Sequence, residues 1–192
     1  MADGPLRFVG FAGSLRRGSY NRMLLHALFR CAHGGTEVQE LDVAHVPLYN
    51  EDLDTDDPPK AVRQLREAIG AADGLIVVTP EHNYTLSGVT KTVIEWASRP
   101  PENSVLDGKP VAVLGGAPGG FGTVRAQLTF RQMAPESGML VMQDPEVRVS
   151  RIHTKFDADG KLLDENLRQE LREFLDAFAL WCRRLSPRTA RS

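Results

Sequence analysis

Three short segments concentrate the residues able to do chemistry: GSLRRGSYN at 13–21, PEHNYTLSG at 80–88 and GGAPGGFG at 115–122. In the first, Ser14, Arg16, Arg17, Ser19 and Asn21 stand just ahead of an apolar-periodic run. The first N–H groups of a helix are unpaired and lie at the positive end of its dipole. Hydroxyl and amide side chains beside them build a cradle for a phosphate, and an arginine matches its charge. The loop is neither GxxxxGK[ST] nor the dinucleotide GxGxxG, so a monophosphate suits it better. Ser19 and Asn21 equally suit a plain helix cap flanked by solvated arginines.

The second segment places Pro80, Glu81, His82, Asn83 and Tyr84 at the end of the most strand-like run of the chain. Polar groups crowded there suit a planar heterocycle, with His82 and Tyr84 as flat apolar faces; an ordinary polar loop is the other reading. The third segment carries glycines at 115, 116, 119, 120 and 122, which allow a flat ring to approach the backbone or make a flexible turn. Other features carry less. DADG at 157–160 has its glycine one place early for a calcium loop and no glutamate at the twelfth position, so it reads as a turn. Ser14 lies outside any GxSxG elbow. Cys31 and Cys182 lack CxxC or metal-ligand spacing and read as small packed hydrophobes, Met133, Met139 and Met142 as core or interface fillers, and Lys91 with Glu95 as a surface pair. No metal site is expected.

The elements that must position these segments alternate in type. LRFVGFA at 6–12 reads as a buried strand, followed by a helix from Asn21 with Met23, Leu24, Ala27, Leu28 and Cys31 on one stripe. TEVQELDV at 36–43 alternates like a strand near an edge, and a long acidic loop spans 44–57. Asp57 before Pro58 suggests the cap of a second helix that turns Val62, Leu65, Ile69 and Ala72 inward. GLIVVT at 74–79 reads as a central strand, and a third helix follows with Val89, Val93, Ile94 and Ala97, stopped by Pro100 and Pro101. Strands at 110–114 and 139–142 flank a helix over 123–135. Short strands around DADG and a long helix striped by Leu167, Leu171, Phe174, Leu175, Phe178, Cys182 and Leu185 complete the chain. Five strands alternating with helices specify a doubly wound α/β sheet with helices on both faces. The three segments follow its first, third and fourth strands, at the carboxyl end where such sheets bind ligands.

The chain's 192 residues suit one domain, expected over 1–185 with a polar tail at 186–192. Hydrophobic residues make up 42% and charged residues 25%, ordinary for a folded domain. A net charge of -2 gives no field that would attract nucleic acid or an anionic membrane. MADGPLRFVG lacks the features of a signal peptide, and no run approaches the roughly 18 apolar residues of a membrane span, so a cytoplasmic location is expected.

The segments GSLRRGSYN, PEHNYTLSGVTKTVIEWASRP and GTVRAQLTFRQM, in this order and spacing, resemble the NADPH-dependent FMN reductases, the flavodoxin-like group that includes quinone, chromate and azo reductases. The resemblance spans about residues 5–180. It implies a five-stranded parallel sheet in the order 2-1-3-4-5. It implies FMN with its phosphate at Ser14, Arg16, Ser19 and Asn21 and the backbone amide of Tyr20. The ring would lie against Pro80, Glu81, His82 and Asn83, with Tyr84 alongside and Gly116 and Ala117 on the third loop. NADPH or NADH would serve as co-substrate. Hydride would pass through bound FMN to a quinone, metal oxyanion, azo compound or free flavin in ping-pong fashion, with no catalytic side chain required. The resemblance further implies a homodimer or homotetramer in which Arg99 and the Pro47 to Glu51 loop help shape the second subunit's pocket. The chain departs from the family pattern at His82, where many members carry Tyr, and at Ala117, near which Ser or Thr is frequent. The rival expectation is an FMN-binding electron carrier or regulatory flavoprotein without its own NAD(P)H reaction. Carriers dock through charged surfaces, and the near-neutral balance disfavours one.

Overall fold

The computed structural model describes residues 4–186, so the expected tail beyond Ser186 lies outside the described residues. In chain order the elements are β1 (Leu6–Ala12), α1 (Tyr20–Phe29), β2 (Thr36–Glu40), α2 (Lys60–Ala71), β3 (Gly74–Val78), β4 (Glu81–His82), β5 (Thr85–Leu86), α3 (Gly88–Ala97), β6 (Pro110–Gly116), α4 (Val124–Met133), β7 (Leu140–Val141), β8 (Arg148–Val149) and α5 (Glu165–Leu185). The main sheet runs β2-β1-β3-β6-β7, all parallel, which is the expected 2-1-3-4-5 order. Strand order reverses between β1 and β3, so the carboxyl ends of β1, β3 and β6 open onto a crevice at the switch point.

Apolar side chains on both faces explain why these runs are central. Phe8, Ile76, Val78, Ala112 and Leu114 face one layer with α1 and α5, and Val9, Phe11, Leu75, Val77, Val111 and Val113 face the other with α2, α3 and α4. Trp96, Phe130, Phe174 and Phe178 are fully buried within these layers. Each large side chain so buried contributes roughly 1.5–3 kcal/mol, enough to hold the strand ends, and the loops they carry, in fixed register. Cys31 and Cys182 are buried and unpaired in the α1–α5 layer. Burial pushes the Cys182 thiol up to about 12 and raises Cys31 as well, which removes both from thiolate chemistry.

Several boundaries differ from the sequence reading; the second strand stops at Glu40, short of the expected Val43. The fifth strand is interrupted: β7 covers only Leu140–Val141, and the chain rejoins β6 as β8, opposite Gly115 and Gly116. The fourth strand therefore continues through Gly116, because β8 supplies it with a partner. Asp57 does not cap α2, whose N-cap is Pro59; Asp57 pairs instead with Arg63, so the two prolines shift the start by one half-turn. Around DADG only a single bridge, Phe156 to Leu162, forms, with the turn closed by Asp157 and Gly160.

Candidate functional site

The first loop leaves β1 at Gly13 and enters α1 at Tyr20. Gly13 has no alternative there, since a Cβ would lie 2.0 Å from Thr90 Oγ1 and 2.8 Å from Ser87 Oγ. Ser19 is the N-cap, its hydroxyl accepting from Arg22 N–H at 3.3 Å while its own N–H donates to Arg16 O. The N–H groups of Tyr20 and Asn21 find no acceptor among the described residues. Two backbone donors thus stand open at the positive end of α1, with Ser14 half-buried and Arg16 and Arg17 exposed beside them. Arg16 lies over the Tyr20 ring, 5.5 Å from its centroid, which holds the guanidinium near the loop.

Asn21 does something the sequence did not reveal. Its Nδ2 donates to Gly116 O at 3.0 Å and its Oδ1 accepts from Gly116 N–H at 2.9 Å, both buried. The amide therefore joins the first loop to the third rather than reaching into the cradle. Ala117 is likewise committed, donating to Val149 O and accepting from Ile152 N–H. Gly116 is buried against Ile152 and Val149, Ala117 is half-buried, and the peptide groups of both are taken, whereas Gly119 and Gly120 are exposed and their N–H groups unpaired among the described residues. Gly115 is sterically required, because a Cβ would sit 2.1 Å from Thr79 O.

The second loop is a hairpin, β4 and β5, turning at Asn83 and Tyr84 with φ of 48° and 68°. Left-handed backbone suits asparagine and is strained for tyrosine. Pro80 is buried at the hairpin's base, whereas His82, Asn83 and Tyr84 are exposed. Glu81 turns its carboxylate away from the crevice: Oε2 accepts from the N–H groups of Arg125 at 2.8 Å and Ala126 at 3.2 Å, and Oε1 from Arg125 Nη1 at 3.2 Å. It satisfies the start of α4, whose own N-cap, Thr123, makes no capping bond with its side chain and accepts instead from Gln127 Nε2. A buried hydroxyl chain fixes the hairpin to the first loop. Ser87 Oγ donates to Gly13 O at 2.7 Å and meets Thr90 Oγ1 at 2.9 Å; Thr90 donates to Thr79 Oγ1, which donates to Pro80 O. Ser87 also caps α3 by accepting from Thr90 N–H at 3.1 Å, and its reach to Gly13 depends on tertiary placement.

The arrangement fits a flat group ending in an anion: open backbone donors at α1, a glycine-bearing wall at β6, and a hairpin wall at β3, all at one end of the sheet. Such a fold and site are those of a flavodoxin-like flavoenzyme. The chain belongs to the NADPH-dependent FMN reductase family, whose family model matches residues 6–154. It is 43% identical over 185 residues to an NAD(P)H-dependent FMN reductase of Pseudomonas aeruginosa, covering 96% of this chain and 99% of that protein. It is 38% identical over 178 residues to a 2-hydroxy-1,4-benzoquinone reductase of a Burkholderia species, covering 93% and 97% of the two chains. Among solved structures it resembles FerB, an NAD(P)H:(acceptor) oxidoreductase flavoenzyme of Paracoccus denitrificans, with a TM-score of 0.85 and 34% identity over 93% of this chain and 98% of that one. The protein is thus an NAD(P)H-dependent oxidoreductase with FMN as its cofactor.

Proposed function

We propose that the chain reduces small quinone-type acceptors with NAD(P)H in alternating half-reactions over one FMN. When bound, FMN supplies the hydride-accepting and hydride-donating chemistry. The protein's residues bind and orient. The N–H groups of Tyr20 and Asn21, with Ser14, Ser19 and Arg16, take the phosphate. Pro80, the backbone of Glu81, His82 and Asn83, and the side of Tyr84 form one wall of the ring crevice, and Gly116 and Ala117 form the other. Asn21 acts at one remove, by fixing Gly116. The observation that carries this reading is the pair of unpartnered N–H groups at the start of α1, tied through Asn21 to the wall 95 residues further on. Orientation is the main catalytic contribution asked of the protein in this reading, since the flavin itself carries the hydride.

A second copy of the chain completes the pocket in this reading, as a homodimer or homotetramer. What supports it is the loop at Pro47 to Glu51: Trp96 Nε1 donates to Pro47 O at 2.7 Å, Tyr49 packs edge-on against Trp96, and Arg99 lies over Tyr49. The loop is pinned to α3 yet leaves Leu48 77% exposed, an apolar side chain that a partner would cover. No helix among the described residues is long and apolar enough to cross a membrane. Unpaired cysteines accord with a reducing cytoplasm. The decisive experiment is anaerobic. Protein loaded with FMN should bleach on adding NADPH and regain its colour with one equivalent of benzoquinone. A flavin that stays oxidised under both NADPH and NADH would refute the enzyme reading.

A further inference from the structure

We propose that Arg125 is a positioning residue that sets the width of the ring crevice and thereby selects acceptors by size. The inference rests on the reading that this crevice takes FMN and planar substrates.

The hairpin needs an external anchor. β4 and β5 pair only with each other and not with the main sheet, and a hairpin of two-residue strands is not stable alone. Its tip holds Tyr84 in left-handed backbone with the residue 70% exposed, so burial does little to fix it. Phe121, on the loop opposite, is 72% exposed and equally free of packing. Arg125 reaches both. Its guanidinium carbon lies 4.2 Å from the Tyr84 ring centroid and 5.4 Å from that of Phe121, while Nη1 donates to Glu81 at the hairpin's base. Its backbone N–H, also on Glu81, ties the hairpin to the start of α4. One residue therefore holds the base of one wall, the tip of that wall and the rim of the other.

Helix stability does not account for it. Arg125 is in the first turn of α4, where the dipole disfavours a cation, and Glu81 is needed to offset that cost. A stacked planar cation between walls is a reason for arginine in particular, since lysine would pair with Glu81 as a point charge without lying flat on a ring. With the clamp gone, the Tyr84 ring and the Phe121 rim separate, and the gap between hairpin and glycine-rich loop widens.

The test uses FMN-loaded wild type, Arg125→Ala, Arg125→Lys, Tyr84→Ala and the Arg125→Ala/Tyr84→Ala double variant. Initial rates with NADPH are taken against benzoquinone, naphthoquinone and anthraquinone-2-sulfonate, together with the visible flavin spectrum. Arg125→Ala should raise KM for benzoquinone about threefold to tenfold with kcat within about twofold, the scale expected from losing a cation–aromatic contact. The three-ring acceptor should gain relative to the one-ring acceptor, and the flavin bands should shift. Arg125→Lys should retain thermal stability without restoring the size preference. The double variant should be no worse than Arg125→Ala. An unchanged ratio of KM values in Arg125→Ala, or effects of the two single substitutions that multiply in the double, would overturn the proposal. Should Arg125→Ala fail to fold, Phe121→Ala and Arg125→Lys read the same ratio. If wild type neither retains FMN nor bleaches with NADPH, the functional reading has failed instead. The clamp is then read by amide exchange at Thr85, which should quicken in Tyr84→Ala and Arg125→Lys and contradicts the clamp if it does not.

Discussion

The side-chain amide of Asn21 grips the peptide of Gly116 from both sides, accepting from its N–H at 2.9 Å and donating to its carbonyl at 3.0 Å. The contact joins the first turn of α1 to the end of β6, so the anion cradle and the glycine-bearing wall cannot move independently. Both partners are buried, and water cannot replace either bond.

Asn21→Ala should therefore cost stability and flavin retention together. Leaving a buried peptide N–H unsatisfied costs about 1–3 kcal/mol, which urea unfolding would register as a lower midpoint with little change in slope. Asn21→Asp should do worse than alanine at neutral pH. It keeps the acceptor for Gly116 N–H but sets a carboxylate against Gly116 O and beside the phosphate site. Equal FMN affinity for wild type and both variants, measured by fluorescence titration, would break the link between this contact and the cradle.

Steric demand separates the glycines of the third loop. Gly115→Ala puts a methyl 2.1 Å from Thr79 O and 2.6 Å from Thr123 Oγ1, and the backbone just past β3, tied to Leu114 by the Thr79 N–H, cannot yield. Overpacking of this kind costs about 1–3 kcal/mol or more. Gly119→Ala, with nothing within 4 Å, should fold like wild type. Thermal unfolding of the two variants side by side checks the contrast.

The sheet was legible because buried parallel strands declare themselves as unbroken apolar runs, such as residues 74–79, and the strand order followed once the loops resembled a known family. The Ser19 cap was legible for a similar reason, since its bond to Arg22 N–H is local. What sequence reading missed are contacts between residues far apart in the chain. Glu81, expected beside a ring, is drawn to the uncapped start of α4, and Asn21, expected on a phosphate, is drawn to Gly116. In both cases the residue type was recognised as polar and functional, but its partner is fixed by tertiary packing. The break between β7 and β8 was missed because each piece has only two residues, too few to show a period.

Asp164 gives the fold an acid-sensitive joint. Its carboxylate accepts from Lys155 Nζ and, as the N-cap of α5, from Leu167 N–H at 2.9 Å, and the Lys155 hydrogen bond followed by the Leu167 one holds its pKa below the usual carboxylate range. A carboxyl depressed in the folded state contributes stability above its unfolded value and loses it as pH falls through the lower folded value. Asp164→Ala should cost about 1 kcal/mol at pH 7, typical of a lost cap. The difference from wild type should persist down to about pH 4 and shrink below it, where the unfolded chain takes up the proton first. Urea midpoints across pH 3–7 read the trend, and a gap that widened on acidification would contradict it.

Arg16 and Arg17 are adjacent and both exposed, yet the site should use them unequally. Arg16 lies over the ring of Tyr20, the residue that supplies one of the two open N–H groups, which keeps its guanidinium beside the start of α1. No such restraint acts on Arg17 among the described residues. Arg16→Ala should weaken FMN binding by about 1.5–3 kcal/mol, the range for a hydrogen bond to a charged group. Riboflavin, which lacks the phosphate, should bind wild type and variant alike. Arg17→Ala should change FMN affinity by less than about 0.5 kcal/mol, as surface substitutions away from a specific contact do. Raising salt should narrow the wild-type advantage over Arg16→Ala, because an exposed cation is screened. Flavin retained equally on dialysis by wild type and Arg16→Ala, or lost equally by Arg16→Ala and Arg17→Ala, would show that the phosphate is held elsewhere.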